Sequence, residues 1–447
     1  MMMEGEGPQE NSSCLLMQLE HILGSDPLID EVGFVHPTQL MALNGGSAGS
    51  LDASANNFQQ SSDHVVDTDI LLYENSVFWT RDHKLAISTQ SLLPLYRAAK
   101  HAFMTAIRQY KMLHNLCTKT DRLVDETVQN RSLASENLLE SEVMKHSKAL
   151  LLLSCDFGSA WNGRKLVLSK KQQFSLFMDE LLLSALILSY SPKSECAWSH
   201  RRWVIKTISG KFPNLQEMVE KESELVENIA EKLKMNYRAW SHRCWLISYM
   251  TKEQMLSELK KSKKWAELHV ADNCCFHYRS QLMLRILEDS CLRQVPEFCS
   301  SHVPDLYQMW KEELDWGETL IRRFVGREAL WVHRRFLSQC WIKHFVSGIQ
   351  GAFFHSDIHP GINHDMHSFI YNEMQLFHTC LTFLDDEFED GQAQASFAAA
   401  YILWLLKQIP QAQGIELEEK LRELGGIKTL LHKLCPDKTQ LWDGLIS

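Results

Sequence analysis

The sequence predicts an all-α protein built as an α/α superhelix, a solenoid of stacked helical hairpins. Three observations lead there. An aromatic residue followed three positions later by arginine recurs five times, at Trp161/Arg164, Trp198/Arg201, Trp240/Arg243, Phe276/Arg279 and Trp331/Arg334. The aromatic-to-aromatic steps are 37, 42, 36 and 55 residues, and steps in the thirties and forties are those of helical-hairpin repeats. From about Leu92 onward Leu, Met, Glu, Lys and Gln dominate, with only 11 prolines and 20 glycines in the 447 residues and no continuous alternating strand pattern.

Taken in order, residues 1–70 form an N-terminal extension. Asn44 to Asp63 is rich in Gly, Ser, Asn and Gln. Its few apolar anchors do not offset the entropy of ordering, so it is expected to be flexible, with a short helix before it around Cys14 to Leu23. Residues 71–136 are expected to be an N-terminal helical region, 137–345 the five hairpin repeats, and 346–447 a divergent helical C-terminal region. In each hairpin a first helix leads through a short turn to a second helix that opens on the motif. The expected first helices are Asn137 to Ser154, Gln172 to Leu188, Leu215 to Leu233, Lys252 to Val270 and Asp305 to Val325. In the second of these Phe174, Phe177, Met178, Leu181, Leu182 and Ala185 recur at helical spacing, and Ser191-Pro192 supplies the turn. The long last step is assigned to an inserted loop, Asp289 to Pro304, which carries Pro296 and Pro304.

Residues i and i+3 share a helix face. On that face the indole fills the gap between neighbouring hairpins with a large apolar area. The guanidinium beside it is half-buried, where an unpaired charge costs several kcal/mol. An arginine recurring there implies a regular partner, carbonyls or a carboxylate at an adjacent helix end. The aromatics and arginines of the five motifs, with His200, His242 and His333 inside them, are therefore read as architecture rather than chemistry. Asn236, four residues before Trp240, is read as a cap of the following helix.

The chain carries 46 basic and 56 acidic residues, a formal charge of -10, which argues against nucleic-acid binding through a general basic field. Twelve cysteines without a CxxC pair, the nearest approach being Cys274 and Cys275, read as free thiols in a reducing compartment. The polar, acidic start is unlike a signal peptide. The longest apolar stretches, such as Leu181 to Leu188, are too short to span a bilayer. The expectation is a protein that is not transmembrane and is cytoplasmic. P-loop, dinucleotide, HExxH and GxSxG patterns are absent from the sequence, which removes the common stand-alone enzyme classes.

The segments Ser191-Pro-Lys193-Ser-Glu-Cys-Ala-Trp198-Ser-His-Arg201-Arg-Trp203 and Met235-Asn-Tyr-Arg-Ala-Trp240-Ser-His-Arg243-Cys-Trp245 resemble the repeat of protein prenyltransferase α subunits, which reads roughly Pro-Lys-Asn-Tyr-x-x-Trp-x-His-Arg-x-Trp. The resemblance covers about Asn137 to Phe345. It implies a crescent of tetratricopeptide-like helical hairpins that wraps a separate β subunit, with zinc and the isoprenoid pocket in that partner and no cofactor in this chain. The implied reaction transfers a farnesyl or geranylgeranyl group from its diphosphate, the co-substrate, to the C-terminal cysteine thiolate of a protein substrate. Such chemistry needs a metal that lowers the thiol pKa and cations that stabilise the departing diphosphate.

By the same resemblance Lys193, five residues before Trp198, matches a family lysine that reaches the diphosphate, and Tyr237, three before Trp240, matches a tyrosine beside it. Read without the family, Lys193 is an exposed turn lysine and Tyr237 a packing residue. Arg238 stands where the farnesyl type has histidine and is expected to add positive charge at the diphosphate. Glu195 replaces a usual tyrosine and puts an acid there, which weakens the site or calls for a screening cation. Cys196 replaces the glutamine with which the farnesyl type reads a terminal carboxylate. The Rab-specific geranylgeranyl enzyme has a small residue at that place, so its β subunit is the favoured partner. A non-enzymatic helical-repeat adaptor is the competing expectation.

Two further clusters are set aside. His355, Asp357, His359, His364, Asp365 and His367 permit a metal by spacing but lack helical or CxxC framing, and read as a polar loop. Asp385 to Glu389 resembles an acidic box for magnesium diphosphate and reads as a solvated turn.

Overall fold

The computed structural model describes residues 8–45, 77–117, 126–211, 215–292, 303–346, 366–381, 389–409, 411–423, 426–434, 440 and 443. They form two compact units, Met1–His242 and Arg243–Ser447. The fold is all-α, and its helices come in hairpins.

The first unit opens with α1 (Pro8–Ser25), β1 (Glu31–Val35), α2 (Pro37–Gly45), β2 (Phe78–Arg81) and β3 (Lys84–Ser88). The strands form a small sheet in the order β1-β3-β2, β1 parallel and β2 antiparallel to β3. Asp82 and His83, at φ 49° and 61°, make the two-residue turn between β2 and β3, a geometry whose twist matches that of the strands. Val32, Leu85 and Ile87 are buried in one core with Leu16, Leu19 and Leu23 of α1. The sequence predicts a short helix around Cys14 to Leu23, which α1 contains, but not this sheet. Strands of four and five residues are too short to display a period of two, and the parallel ladder sets Glu31 opposite Lys84, far along the chain.

Helix α3 (Leu92–Cys117) begins where the composition shift places it and packs along α4 (Glu126–Leu153). The first hairpin is thus α4 with α5 (Gly158–Lys171), its leading helix starting well before Asn137. Then follow α6 (Phe174–Tyr190) with α7 (Glu195–Ile208), and α8 (Leu215–Lys232) with α9 (Tyr237–Leu246). In the second unit come α10 (Lys252–Leu268) with α11 (Asn273–Leu292) and α12 (Val303–Arg323) with α13 (Glu328–Trp341). Polar caps set two of the helix starts. The Ser194 hydroxyl accepts the Ala197 amide at 3.2 Å, and Thr251 and Gln254 form a reciprocal capping box on α10.

The region expected to be merely divergent holds α14 (Met366–Leu381) and α15 (Glu389–Gln408), which pack as a further hairpin, then α16 (Gln411–Glu423) and α17 (Ile427–Leu434). Gln394 of α15 is fully buried and ties this hairpin to the preceding one. Its amide oxygen accepts the Gly326 amide at 3.0 Å and the Trp331 indole at 3.2 Å, while its nitrogen donates to the Ile321 carbonyl at 2.9 Å. Among the described residues no helix is long and apolar enough to cross a membrane. The stretch expected to be flexible, from residue 46 on, most of the expected 289–304 loop, the histidine cluster before His367 and the acidic run before Glu389 lie outside the described residues.

Candidate functional site

The motif arginines have a common partner set, and it is not at helix ends. Each takes a buried glutamate from the middle of the next hairpin's first helix. Arg164 donates to Glu180 at 2.9 and 2.5 Å, Arg201 to Glu222, Arg243 to Glu258 at 2.8 Å, Arg279 to Glu313 at 2.6 and 2.9 Å, and Arg334 to Glu373. Further guanidinium N–H groups reach back to the arginine's own hairpin. Arg164 donates to the Met144 carbonyl and Ser147 hydroxyl at 2.7 and 2.9 Å, and Arg279 to the Leu259 carbonyl and Ser262 hydroxyl at 2.5 and 2.9 Å.

Every one of these glutamates also serves its own hairpin's second helix. Glu180 accepts from His200 Nε2 at 2.8 Å, Glu222 from His242 at 3.0 Å, Glu258 from the Tyr278 hydroxyl at 2.7 Å, Glu313 from His333 at 3.1 Å and Glu373 from the Tyr401 hydroxyl at 2.8 Å. The result is a ladder of Arg–Glu–His/Tyr rungs, each carboxylate bridging two consecutive hairpins. The aromatics line it. Trp161 lies over His200, Trp198 over His242, Phe276 over His333 and Trp331 over Tyr401, with ring centroids 4.5, 4.9, 5.2 and 5.6 Å apart. Both ends are specialised. In the first hairpin Gly163 occupies the His/Tyr place, because a Cβ there would come within 3.1 Å of Phe103 on α3. In the last, Ala399 and Ile402 stand where Trp and Arg would be, so the run of rungs stops.

Burial by itself would raise the glutamates' pKa values. The adjacent arginine charge and the histidine hydrogen bond prevail, holding Glu180, Glu222 and Glu313 down at about 2. Burial also lowers the pKa of His200, His242 and His333, outweighing the carboxylate beside each. These imidazoles are therefore neutral near pH 7. Since a carboxylate only accepts, the proton sits on Nε2. A neutral donor held in place by a carboxylate is a structural part; none of it faces solvent.

The candidate chemistry lies instead on the turns between first and second helices. The Pro192 carbonyl accepts both the Trp198 indole and the Asn236 side-chain amide at 3.0 Å, which clamps the turn before α7 against the turn before α9. The Asn236 oxygen accepts the Ala239 amide at 3.4 Å, the cap expected of it. This clamp brings Lys193 and Tyr237 onto adjoining turns, both exposed, Tyr237 to 71%. Among the described residues Lys193 has no ion pair or hydrogen bond. Arg238 differs from the expectation. Its guanidinium pairs with Glu195, which also takes Arg202 at 2.7 Å. The acid expected to face a diphosphate is thus held between two arginines, and Arg238 spends its charge on it. Ser194 donates to Asp156 at 2.7 Å and Cys196 lies against the Asp156 carbonyl at 3.8 Å, so the turn before α5 joins the same rim. Burial raises the Cys196 pKa, with Asp156 adding to it, which leaves this thiol protonated and unreactive. Among the described residues no group of three or more His, Cys, Asp and Glu has metal-site geometry.

A family model described as "Protein prenyltransferase alpha subunit repeat" matches residues 177–208 and 219–250, the hairpins that form this rim. The chain is 32% identical over 239 residues to the Homo sapiens protein named "Protein prenyltransferase alpha subunit repeat-containing protein 1", covering 44% of this chain and 59% of that one. The Danio rerio protein of the same name is 30% identical over 244 residues, 46% and 56% of the two chains. "Geranylgeranyl transferase type-2 subunit alpha" of Saccharomyces cerevisiae is 22% identical over 189 residues, 41% and 56%. The match spans a little over half the length of these relatives. Two hairpins of the ladder thus match protein prenyltransferase α-subunit repeats, and over part of its length the chain is similar to proteins that contain them.

Proposed function

We propose that this chain is an α-type subunit that completes a heterodimeric protein prenyltransferase, of geranylgeranyl type, by docking a β subunit against its turn rim. The zinc that lowers the substrate thiol pKa and the lipid pocket belong to that partner. This chain supplies Lys193 as a flexible point charge for the leaving diphosphate, with Tyr237 beside it. One observation carries the reading: Lys193 is an exposed ammonium with no partner among the described residues, on the turn clamped to Tyr237's turn through Asn236 and Pro192. The similarity to the yeast type-2 α subunit favours the Rab-type β subunit as partner.

Co-expression with such a β subunit tests it. The expected result is a one-to-one complex that transfers geranylgeranyl to a protein ending in cysteine, while this chain alone is inactive. The Lys193→Ala complex assembles and turns over at least about tenfold more slowly. Wild-type turnover in that variant removes the role given to Lys193.

A second reading, a non-enzymatic adaptor, is favoured by the Glu195 cluster. It engages both Arg202 and Arg238 and leaves Lys193 as the one unpaired cation of the three. Failure of every prenyltransferase β subunit to bind would select it.

A further inference from the structure

Between α1, α4, α5 and α6 the first unit has a half-open cavity of about 450 Å3, within the range of about 300–1,000 Å3 typical of small-molecule sites. Leu23, Ile29, Met144, Leu176, Leu183 and Leu186 give it an apolar wall. None of its lining residues lies on the turns that carry Lys193 and Tyr237, so the cavity is separate from the rim.

Charged side chains also reach it, and most are already matched. Glu20 is met by His146 and Lys145, Glu140 by Lys170 and Lys171, and Arg164 by Glu180. Two are not. The half-buried Lys148 ammonium on α4 donates to the Leu23 carbonyl at 2.9 Å, and has no carboxylate partner among the described residues, which leaves two of its three N–H donors unspent. Asp179 on α6 lines the exposed side of the same cavity and has neither ion pair nor hydrogen bond among the described residues. Burial lowers the Lys148 pKa and raises that of Asp179, and each feels the other's charge without contact. An anion would satisfy Lys148 and be repelled by Asp179. A cation would do the reverse. Only a ligand carrying both charges on an apolar body meets all three features of the site.

We propose that this cavity binds a small zwitterion with an apolar body, an apolar α-amino acid, its carboxylate on Lys148 and its ammonium on Asp179. Neither a transferase nor an adaptor reading is needed for this.

Calorimetric titration of the full chain with leucine, methionine and phenylalanine tests the proposal, with glycine, N-acetyl-leucine and leucinamide as controls. The apolar amino acids are expected to bind, and each control, lacking the body, the ammonium charge or the carboxylate, to bind roughly tenfold or more weakly. Asp179→Asn, a change at an exposed position, should erase the preference for leucine over N-acetyl-leucine. Lys148→Met should erase the preference over leucinamide, with circular dichroism confirming that α1 persists. No binding of any apolar amino acid up to roughly 10 mM, or N-acetyl-leucine binding as tightly as leucine, overturns the proposal.

Discussion

Removing one carboxylate from the ladder should uncouple two hairpins at once, and Glu180→Ala is the sharpest case. The side chain is fully buried and accepts from Arg164 Nε and Nη2 at 2.9 and 2.5 Å and from His200 Nε2 at 2.8 Å. Its loss leaves the Arg164 guanidinium with only the Met144 carbonyl and Ser147 hydroxyl, and His200 Nε2 without an acceptor. Breaking a buried pair by deleting one partner costs about 3–5 kcal/mol, because the other charge stays buried and uncompensated. That is a large part of the roughly 5–15 kcal/mol that holds a typical domain together. Urea unfolding followed by tryptophan emission reads it directly, since the Trp161 ring lies tilted 4.5 Å from His200 and Trp203 stacks on the same imidazole at 5.5 Å. Pairing Glu180→Leu with Arg164→Met and His200→Leu removes charge and partner together, and should recover most of the loss. A Glu180→Ala protein within about 1 kcal/mol of the original, or a triple variant no more stable than the single one, would refute the view that the rungs fasten hairpin to hairpin.

Four more outcomes are expected. His200, His242 and His333 have native pKa values below the ordinary 6.5, so below about pH 6.5 the unfolded chain binds protons that the native chain does not. Stability therefore falls as pH drops through that range, and falls again from about 4.5 toward 2 as the unfolded counterparts of Glu180, Glu222 and Glu313 protonate first; a urea midpoint that is flat from about pH 8 to pH 3 would contradict this. Glu195→Gln releases Arg202 and Arg238, changes stability by no more than about 0.5 kcal/mol because the cluster is surface-exposed, and should tighten inorganic pyrophosphate binding in a calorimetric titration. Gln394→Ala strands the Trp331 indole and the Ile321 carbonyl, at a cost of about 1–3 kcal/mol for each buried group left unpaired, and amide exchange should show α14 and α15 opening first. Gly163→Ala, which helix propensity alone would favour by about 0.8–1.0 kcal/mol, should instead destabilise, because the new methyl meets Phe103 and Ile107 at 3.1–3.3 Å and overpacking costs about 1–3 kcal/mol; thermal melting gives the sign.

The rungs show what was legible and what was passed over. The arginine side of each rung stands out because it is tied to a tryptophan or phenylalanine three residues away. The acidic side was equally present: Glu180, Glu222, Glu258 and Glu313 each lie 20 residues before His200, His242, Tyr278 and His333. A separation set by one helix and one turn is invisible to a search along a single helix face. The further hairpin left a similar trace, since Tyr401 and Trp404 repeat the spacing of His200 and Trp203. It lacks Trp and Arg, and among the described residues no rung follows it. On the rim, sequence placed Lys193, Tyr237 and Arg238 near one another only by resemblance, and gave no sign that Glu195 would claim Arg238.

The amino-acid order alone determined the class of fold, the number and phase of the motif-bearing hairpins, and the kind of side chain buried between them, because helical periodicity and the cost of burying an unpaired guanidinium act over a few residues. Tertiary structure decided the rest: which carboxylate each arginine takes, that Phe103 leaves room only for Gly163, that β1 pairs with β3, and that Lys148 and Asp179 share a cavity unmatched. Those outcomes depend on distances between segments remote in sequence, and such distances exist only once the hairpins have stacked.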